Sequence, residues 1–321
     1  MAQLVTLEEV YAAADRIKDT CLRTPLLPAP WAGSGAWLKP ESLQPTGAFK
    51  LRGATNAVAR LDDDQRARGV VTHSSGNHGS ALAYAAQRAR VRATIVVPYG
   101  APEVKVGLIA QAGAELVRVD PAERVAASAE VAARTGAIEV PPFDHVDVIA
   151  GQGTVGLEIA ADLPDVETVL VPVGGGGLIA GVAVALRALV PDVRIIGCEP
   201  ALAGDAAASF AAGHLVAWSD EDTARTVADG LRVPSLGELT WPHIEELVDD
   251  VVTVEEDAIL AAVCRLAAGS RLVAEASGAV TTAALLTRSD RLPGGRTVVV
   301  VSGGNVDPRW YADVVGSGPQ G

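Results

Sequence analysis

The chain is short of lysine, aromatic residues, cysteine and methionine. Of its 321 residues only Lys18, Lys39, Lys50 and Lys105 are lysines, 4% are aromatic, three are cysteine and one is methionine. Acidic residues outnumber basic ones 39 to 26, giving a formal net charge of −13, and no basic stretch is interleaved with aromatics. Nucleic acid is therefore not expected as a partner, because a phosphate backbone is held mainly by clustered Lys and Arg. Cys21, Cys198 and Cys264 have neither metal-ligand spacing nor the even count of a disulfide framework, so reduced, mostly buried thiols are expected. Hydrophobic residues make up 49% of the chain, yet breaks such as Glu139-Val140-Pro141-Pro142 and Asp162-Leu163-Pro164-Asp165 interrupt each apolar run before it could span a bilayer. A soluble chain with no membrane partner is expected. The opening segment MAQLVTLEEVYAAADRIKD lacks the basic and uninterrupted apolar parts of a secretory signal, and reads as an amphipathic helix opened by Thr6 with Glu9 as its capping partner. A cytoplasmic location follows as the expectation.

What is present is an alternation of short apolar strands and small-residue helices. Strands are expected at 37–39, 70–72, 93–97, 115–119, 168–173, 193–198 and 297–301. Helices are expected at 49–61, 79–89, 103–112, 122–134, 178–189, 205–212, 255–267 and 278–287. This order predicts an α/β fold whose sheets are covered on both faces. The length suits two open α/β domains with a ligand in the cleft between them: 1–49 with 148–321 as the large one, and 50–147 as a smaller substrate-side one. Polar and glycine-rich segments collect after the carboxyl ends of strands, where open α/β sheets place ligands.

Three of those segments carry chemistry. QPTGAFKLRGA, residues 44–54, sets Lys50 where a turn becomes a helix, beside Phe49, which suits an amine that condenses with an aldehyde. Taken alone, it is also the pattern of an ordinary solvated lysine near an arginine. Gly174-Gly175-Gly176-Gly177 lies between an apolar strand and a helix beginning near Leu178, and its unobstructed amides can cradle a phosphate. It lacks the Lys-Ser/Thr ending of a nucleotide loop and the spacing of a dinucleotide fingerprint, so a single cofactor phosphate fits better than a nucleotide, and a tight strand-to-helix crossing is the plainer reading. The loop His73-Ser74-Ser75-Gly76-Asn77-His78-Gly79 offers hydroxyls, an amide and two of the chain's five histidines at a helix start, suited to a carboxylate, although a polar turn has the same composition. Metal binding by His73 and His78 is not expected, since no third ligand is near.

With Ser302-Gly303-Gly304-Asn305, these motifs occur in the order found in one family, and the chain resembles, over almost its whole length, the pyridoxal-phosphate-dependent threonine/serine dehydratase and serine racemase family of tryptophan-synthase β-like fold. The resemblance implies that Lys50 carries pyridoxal 5'-phosphate on its amine and acts as the base at the substrate Cα. It implies that Phe49 covers one face of the cofactor ring and Gly230, in Ala228-Asp229-Gly230, the other. Asn77 would contact the ring hydroxyl, Gly174, Gly175, Gly176, Gly177 and Leu178 the phosphate, and Ser302 the pyridine nitrogen. Ser74, Ser75, Gly76, Asn77 and His78 would receive the substrate carboxylate. Glu275 resembles a carboxylate near the cofactor, although Ala276 stands where proline is usual. Glu199, Asp205 and the Ala203 carbonyl resemble a divalent-cation site, for Mg²⁺ or else Mn²⁺ or Ca²⁺, with solvated loop acids as the plainer reading.

The expected activity is removal of water and ammonia from L-threonine or L-serine to give a 2-oxo acid, with serine racemase or 3-hydroxyaspartate dehydratase as the alternative and a non-catalytic α/β binding protein as a remote one. Ser75 matches an opposite-face acid of racemases, whereas Val233 and Phe143-Asp144 favour elimination, and Ser80 replaces the glutamine usual after Asn-His-Gly. Arg124 resembles a charged residue at the racemase substrate entrance, or is a solvated helix arginine. The expected partner is a small β-hydroxy amino acid, and a homodimer is the assembly that the family implies.

Overall fold

The computed structural model describes residues 4–318 except Ser75, Pro102 and Pro293, and only the backbone of Glu103 and Val104. Two sheets form two lobes. The larger sheet runs in the order β1 (Leu27–Pro28), β2 (Ala36–Pro40), β10 (Thr297–Val301), β7 (Thr168–Pro172), β8 (Arg194–Pro200) and β9 (Asp250–Val254). The smaller runs β5 (Glu115–Val119), β4 (Ala93–Pro98), β3 (Val70–His73) and β6 (Ile138–Glu139). Every pairing is parallel except β1 with β2. Parallel strands need helical crossovers, so helices cover both faces and central strands become uniformly apolar. The two central strands TVLVP and TVVVV are accordingly buried at all five positions each.

Thr6 and Glu9 form the expected reciprocal cap on the helix Leu7–Ile17. The helix Val146–Asp162, absent from the sequence reading, is the spine of the molecule and packs on the helices Leu7–Ile17, Lys50–Ala59 and Gly177–Leu189. Its glycines, and Gly181 on the facing helix Gly177–Leu189, lie at contacts instead of breaking either helix. A Cβ on Gly181 would stand 2.2 Å from the Ile149 carbonyl oxygen, and one on Gly151 would stand 2.6 Å from the Gly53 Cα. Such close backbones leave room only for hydrogen at those positions.

Beneath this packing lies a charged core. Arg52, two residues after Lys50, holds Glu41 through Nε at 2.7 Å and Nη2 at 2.8 Å, and Glu158 through Nη1 at 2.6 Å. Lys39 donates to Glu158 at 2.5 Å and to the Thr24 carbonyl at 2.6 Å. The helix carrying Lys50 is thereby pinned to strand β2 and to the spine helix. Among the described residues, no helix is long and apolar enough to cross a membrane.

Candidate active site

Lys50 is the first residue of its helix, and the preceding turn is stitched to the end of β10. Phe49 N donates to the Ser302 carbonyl at 3.0 Å, and Ala48 forms an antiparallel bridge with Gly303. Motifs about 250 residues apart in sequence thus meet at one place (303 − 48 = 255). The Lys50 Nζ lies 5.0 Å from the Phe49 ring centroid and donates to the Pro142 carbonyl at 2.6 Å. The four lysines divide sharply: Lys18 is exposed beside Asp15, whereas Lys39 and Lys105 are buried against carboxylates. No carboxylate among the described residues pairs with Lys50. Although the residue opens partly to the cleft, its amine is enclosed by protein, and desolvation lowers its pKa from 10.5 to about 8.

A polar chain crosses the cleft beside it. Asn77, the first residue of the helix Asn77–Ala89, donates through Nδ2 to Glu275 Oε1 and accepts through Oδ1 from Asn305 Nδ2 at 2.9 Å. Asn305 Nδ2 also donates to the Thr46 carbonyl at 2.7 Å. Glu275 precedes the helix Ala276–Thr287, and burial, the largest influence, pushes its carboxyl up to about 7 against the opposing pull of Lys105. Ser302 is buried at the end of β10.

The four glycines form the turn from β7 into the helix Gly177–Leu189, whose first amides have no carbonyl of their own helix to meet. Gly176 has φ +91°, a left-handed conformation, and a Cβ on Gly175 would lie 2.4 Å from carbons of the Phe143 ring. Thr240 braces the turn, its hydroxyl donating to the Gly175 carbonyl at 2.7 Å. Asp144 in turn accepts from Leu239 N at 2.8 Å and Thr240 N at 3.2 Å. Gly230 N donates to Ser277 Oγ at 2.8 Å, placing that glycine against the helix after Glu275. Leu178 is buried in the larger core.

Ser74 lies at the end of β3, and its hydroxyl accepts from Gly76 N at 3.3 Å. Ser75 lies outside the described residues. His78 is buried, with Nε2 2.8 Å from the Val140 carbonyl, and desolvation followed by the Lys50 charge lowers its pKa to about 3. It is therefore a neutral, anchored imidazole that donates from Nε2. Arg124 opens the helix Arg124–Thr135, 3.9 Å from Asp220 of the other lobe, and its charge reaches His73, whose pKa is lowered mainly by desolvation.

Glu199 and Asp205 are buried together at the end of β8. Glu199 accepts from Ala207 N at 2.7 Å and Ala206 N at 3.2 Å, whereas Asp205 Oδ2 is buried with no hydrogen-bond partner. Desolvation raises both carboxyls, that of Asp205 to about 7. Two enclosed carboxylates with an unmet oxygen suit a hard cation. No group of three or more His, Cys, Asp and Glu with metal-binding geometry occurs among the described residues, so carbonyl and water oxygens would have to complete the shell.

The sequence reading had not placed Lys105, Thr240 or Asn305 in the site. Asn305 was legible as the last residue of the Ser-Gly-Gly-Asn motif. Thr240 and Lys105 carry no local signal, because their roles come from partners 65 and 124 residues away.

The pyridoxal-phosphate dependent enzyme model matches residues 17–303. The chain is 38% identical to an L-threo-3-hydroxyaspartate ammonia-lyase of Saccharomyces cerevisiae, over 97% of this chain and 96% of the relative. It is 42% identical to a serine racemase of Arabidopsis thaliana, over 95% and 94%. The solved structure of maize serine racemase superposes with a TM-score of 0.92 at 38% identity, over 97% of each chain. A match of that extent, on a chain whose lysine, glycine turn and Ser-Gly-Gly-Asn motif converge on one cleft, makes this protein a member of the pyridoxal-phosphate dependent enzyme family.

Proposed function

We propose that the enzyme is a lyase that removes water and ammonia from a β-hydroxy amino acid, with 3-hydroxyaspartate ahead of L-threonine or L-serine as substrate. The observation that carries the lyase reading is Lys50: an enclosed amine without a carboxylate partner among the described residues, whose pKa is lowered to about 8 and which bonds the Pro142 carbonyl, next to the Phe143 that packs on the glycine turn. Pyridoxal phosphate, when bound, supplies an aldehyde for the substrate amine and a ring that withdraws electrons from Cα. The turn at Gly174–Gly177 and the helix N-terminus would hold its phosphate, Phe49 and Gly230 would flank its ring, and Asn77 and Ser302 would meet its polar edge. Glu275 would stand behind Asn77 instead of on the ring itself.

Lys50 then serves as the base. A lysine of ordinary pKa is almost wholly protonated at neutral pH, whereas this one keeps a usable neutral fraction to take the α-proton. Ser74, Gly76 and the amides opening the helix at Asn77 are suited to the substrate α-carboxylate. The Lys50 ammonium formed by taking the α-proton can return it to the departing β-hydroxyl, which leaves as water, and Phe143 gives the glycine turn an apolar wall that limits solvent exchange at Cα. The enamine left on release rearranges and hydrolyses to a 2-oxo acid and ammonia.

Arg124 supports 3-hydroxyaspartate as the substrate. It is partly exposed, its one ion pair among the described residues is a 3.9 Å contact to Asp220 of the other lobe, and in the resemblance it matches a charged residue at the substrate entrance, where it would meet a second carboxylate on the substrate β-carbon. The hydroxyaspartate relative, similar over 97% of the chain, supports the same substrate. The serine racemase relatives support a second reading in which inversion competes with elimination and Ser75 supplies the opposite-face proton. We place a divalent cation, Mg²⁺ or else Mn²⁺ or Ca²⁺, at Glu199, Asp205 and the Ala203 carbonyl, apart from the chemistry.

The test is parallel oxo-acid detection and chiral amino-acid analysis on L-threo-3-hydroxyaspartate, L-serine and L-threonine. Arg124→Ala should lower kcat/KM for hydroxyaspartate by about 10- to 100-fold, the loss of one charged hydrogen bond, and for L-serine by no more than about threefold. Equal losses on both would remove the hydroxyaspartate assignment. Dominant D-serine with little pyruvate would establish the racemase reading instead.

A further inference from the structure

Lys105 is a buried cation that no step above uses. It belongs to the helix Glu103–Gln111 of the smaller lobe and is 8% exposed. Its Nζ is hydrogen-bonded to Asp229 Oδ2 and lies 3.8 Å from Glu275 Oε2, both in the larger lobe. An ammonium is not withdrawn from water at such a place without compensation, and two carboxylates of the opposite lobe provide it.

Glu275 connects this contact to the cofactor site. One of its oxygens accepts from Asn77 Nδ2, and the other is buried with no hydrogen-bond partner, facing Lys105. An ionised carboxylate can only accept, so the Asn77 amide must present its nitrogen to Glu275 and its oxygen to Asn305. A protonated Glu275 could donate instead of accept, and the Asn77 amide, whose oxygen stays on Asn305 because Asn305 Nδ2 also donates to the Thr46 carbonyl, would lose its acceptor on the other side. The Lys105 charge therefore decides more than a surface ion pair would.

We propose that Lys105 is a positioning residue that reaches across the cleft to Asp229 and Glu275 and holds Glu275 in place as the acceptor for the Asn77 amide at the cofactor site. The two partners lie on a different lobe from Lys105, so the contact exists only at this separation of the lobes, and opening the cleft breaks it. Closure and the bracing of Glu275 behind Asn77 become one event. The charges that face the pair are Lys105 and Asp229 around Glu275, and Asp229, Glu275 and Arg232 around Lys105.

The experiment uses the full chain, with cofactor bound and after its removal, and reads the Glu275 carboxyl by infrared titration, its band assigned by disappearance in Glu275→Gln. The wild-type midpoint is expected near the about 7 to which burial raises it. Lys105→Met removes the cation that opposes that rise, so the midpoint should climb by about one pH unit or more. Asp229→Asn removes the neighbouring negative charge that raises Glu275, so the midpoint should fall. Amide exchange in the helix Glu103–Gln111 should quicken at least about tenfold in Lys105→Met and return towards wild type in Lys105→Arg. Opposite shifts in the two variants, with exchange restored by arginine, would support the proposal. A Glu275 midpoint unmoved in Asp229→Asn would overturn it, as would a folded Lys105→Met with wild-type midpoint and exchange. If Lys105→Met does not fold, the Asp229→Asn midpoint and the Lys105→Arg exchange decide.

Discussion

The enclosure of Lys50 makes a quantitative prediction about its reactivity. With a pKa of about 8, roughly one amine in eleven is neutral at pH 7, against about one in three thousand for a lysine at the ordinary 10.5. The neutral amine is the nucleophile, so at pH 7 Lys50 should outpace an equally accessible normal lysine by a factor on the order of 100. The cause is desolvation with no neighbouring carboxylate to restore the charge, so the advantage should fall when the enclosure is loosened, as in Phe49→Ala, because the Phe49 ring centroid lies 5.0 Å from the amine. Competitive acylation of the cofactor-free protein, quantified by peptide mass spectrometry over about pH 6 to 11, reads all four lysines together. Exposed Lys18 serves as the internal standard, and Lys39, held by Glu158, should be nearly inert. The Lys50 profile should bend near pH 8, and borohydride reduction of the loaded enzyme should place the cofactor on Lys50. The linkage has a definite sign: the folded pKa lies below the unfolded one, so between about 8 and 10.5 the unfolded chain binds the extra proton and this group makes stability rise with pH. A Lys50 midpoint near 10.5, or cofactor found on another lysine, would refute the reasoning.

Two further outcomes concern the scaffold. Arg52→Met should destabilise the protein by about 3–5 kcal/mol in urea titration, because fully buried Glu41 loses its bidentate partner, and Arg52→Lys should recover only part; a loss below about 1 kcal/mol would mean that the carboxylates find other partners. Mg²⁺ should raise the Tm at pH 8 and lose that effect as the pH falls through about 7, where Asp205 takes up its proton. Without cation the sign reverses: the folded carboxyls of Asp205 and Glu199 hold protons that the unfolded chain has released, so stability falls as pH rises from the ordinary carboxylate range towards 7. Calorimetry with Mg²⁺ or chelator, on wild type and Asp205→Asn, separates the two limbs, and a Tm insensitive to Mg²⁺ at pH 8 would remove the site.

Local pattern was sufficient wherever one period or one motif decided the outcome. The runs 115–119 and 297–301 became strands β5 and β10 with those bounds: TVVVV is buried throughout, as a β-branched apolar run requires, whereas ELVRV is a half-exposed edge strand whose apolar and β-branched residues still favour the extended chain. The segment 205–212 became a helix with the expected ends, stopped by Gly213 in the left-handed conformation. Lys50 was legible at a helix start beside Phe49, as was the glycine turn after β7. Strand β9, at a sheet edge, and the helices Asp63–Arg68, Thr240–Leu247 and Pro308–Gly316 were not read. The spine helix Val146–Asp162 is the clearest case: Gly151, Gly153 and Gly156 lower the local helical propensity, and their use is visible only where a neighbouring backbone lies against each of them. The same holds for charge. Sequence marked Lys50 as the amine that matters, but only the folded chain gives Lys39 and Lys105 their carboxylates and leaves Lys50 with a carbonyl, since pairing and desolvation are set by residues distant along the chain.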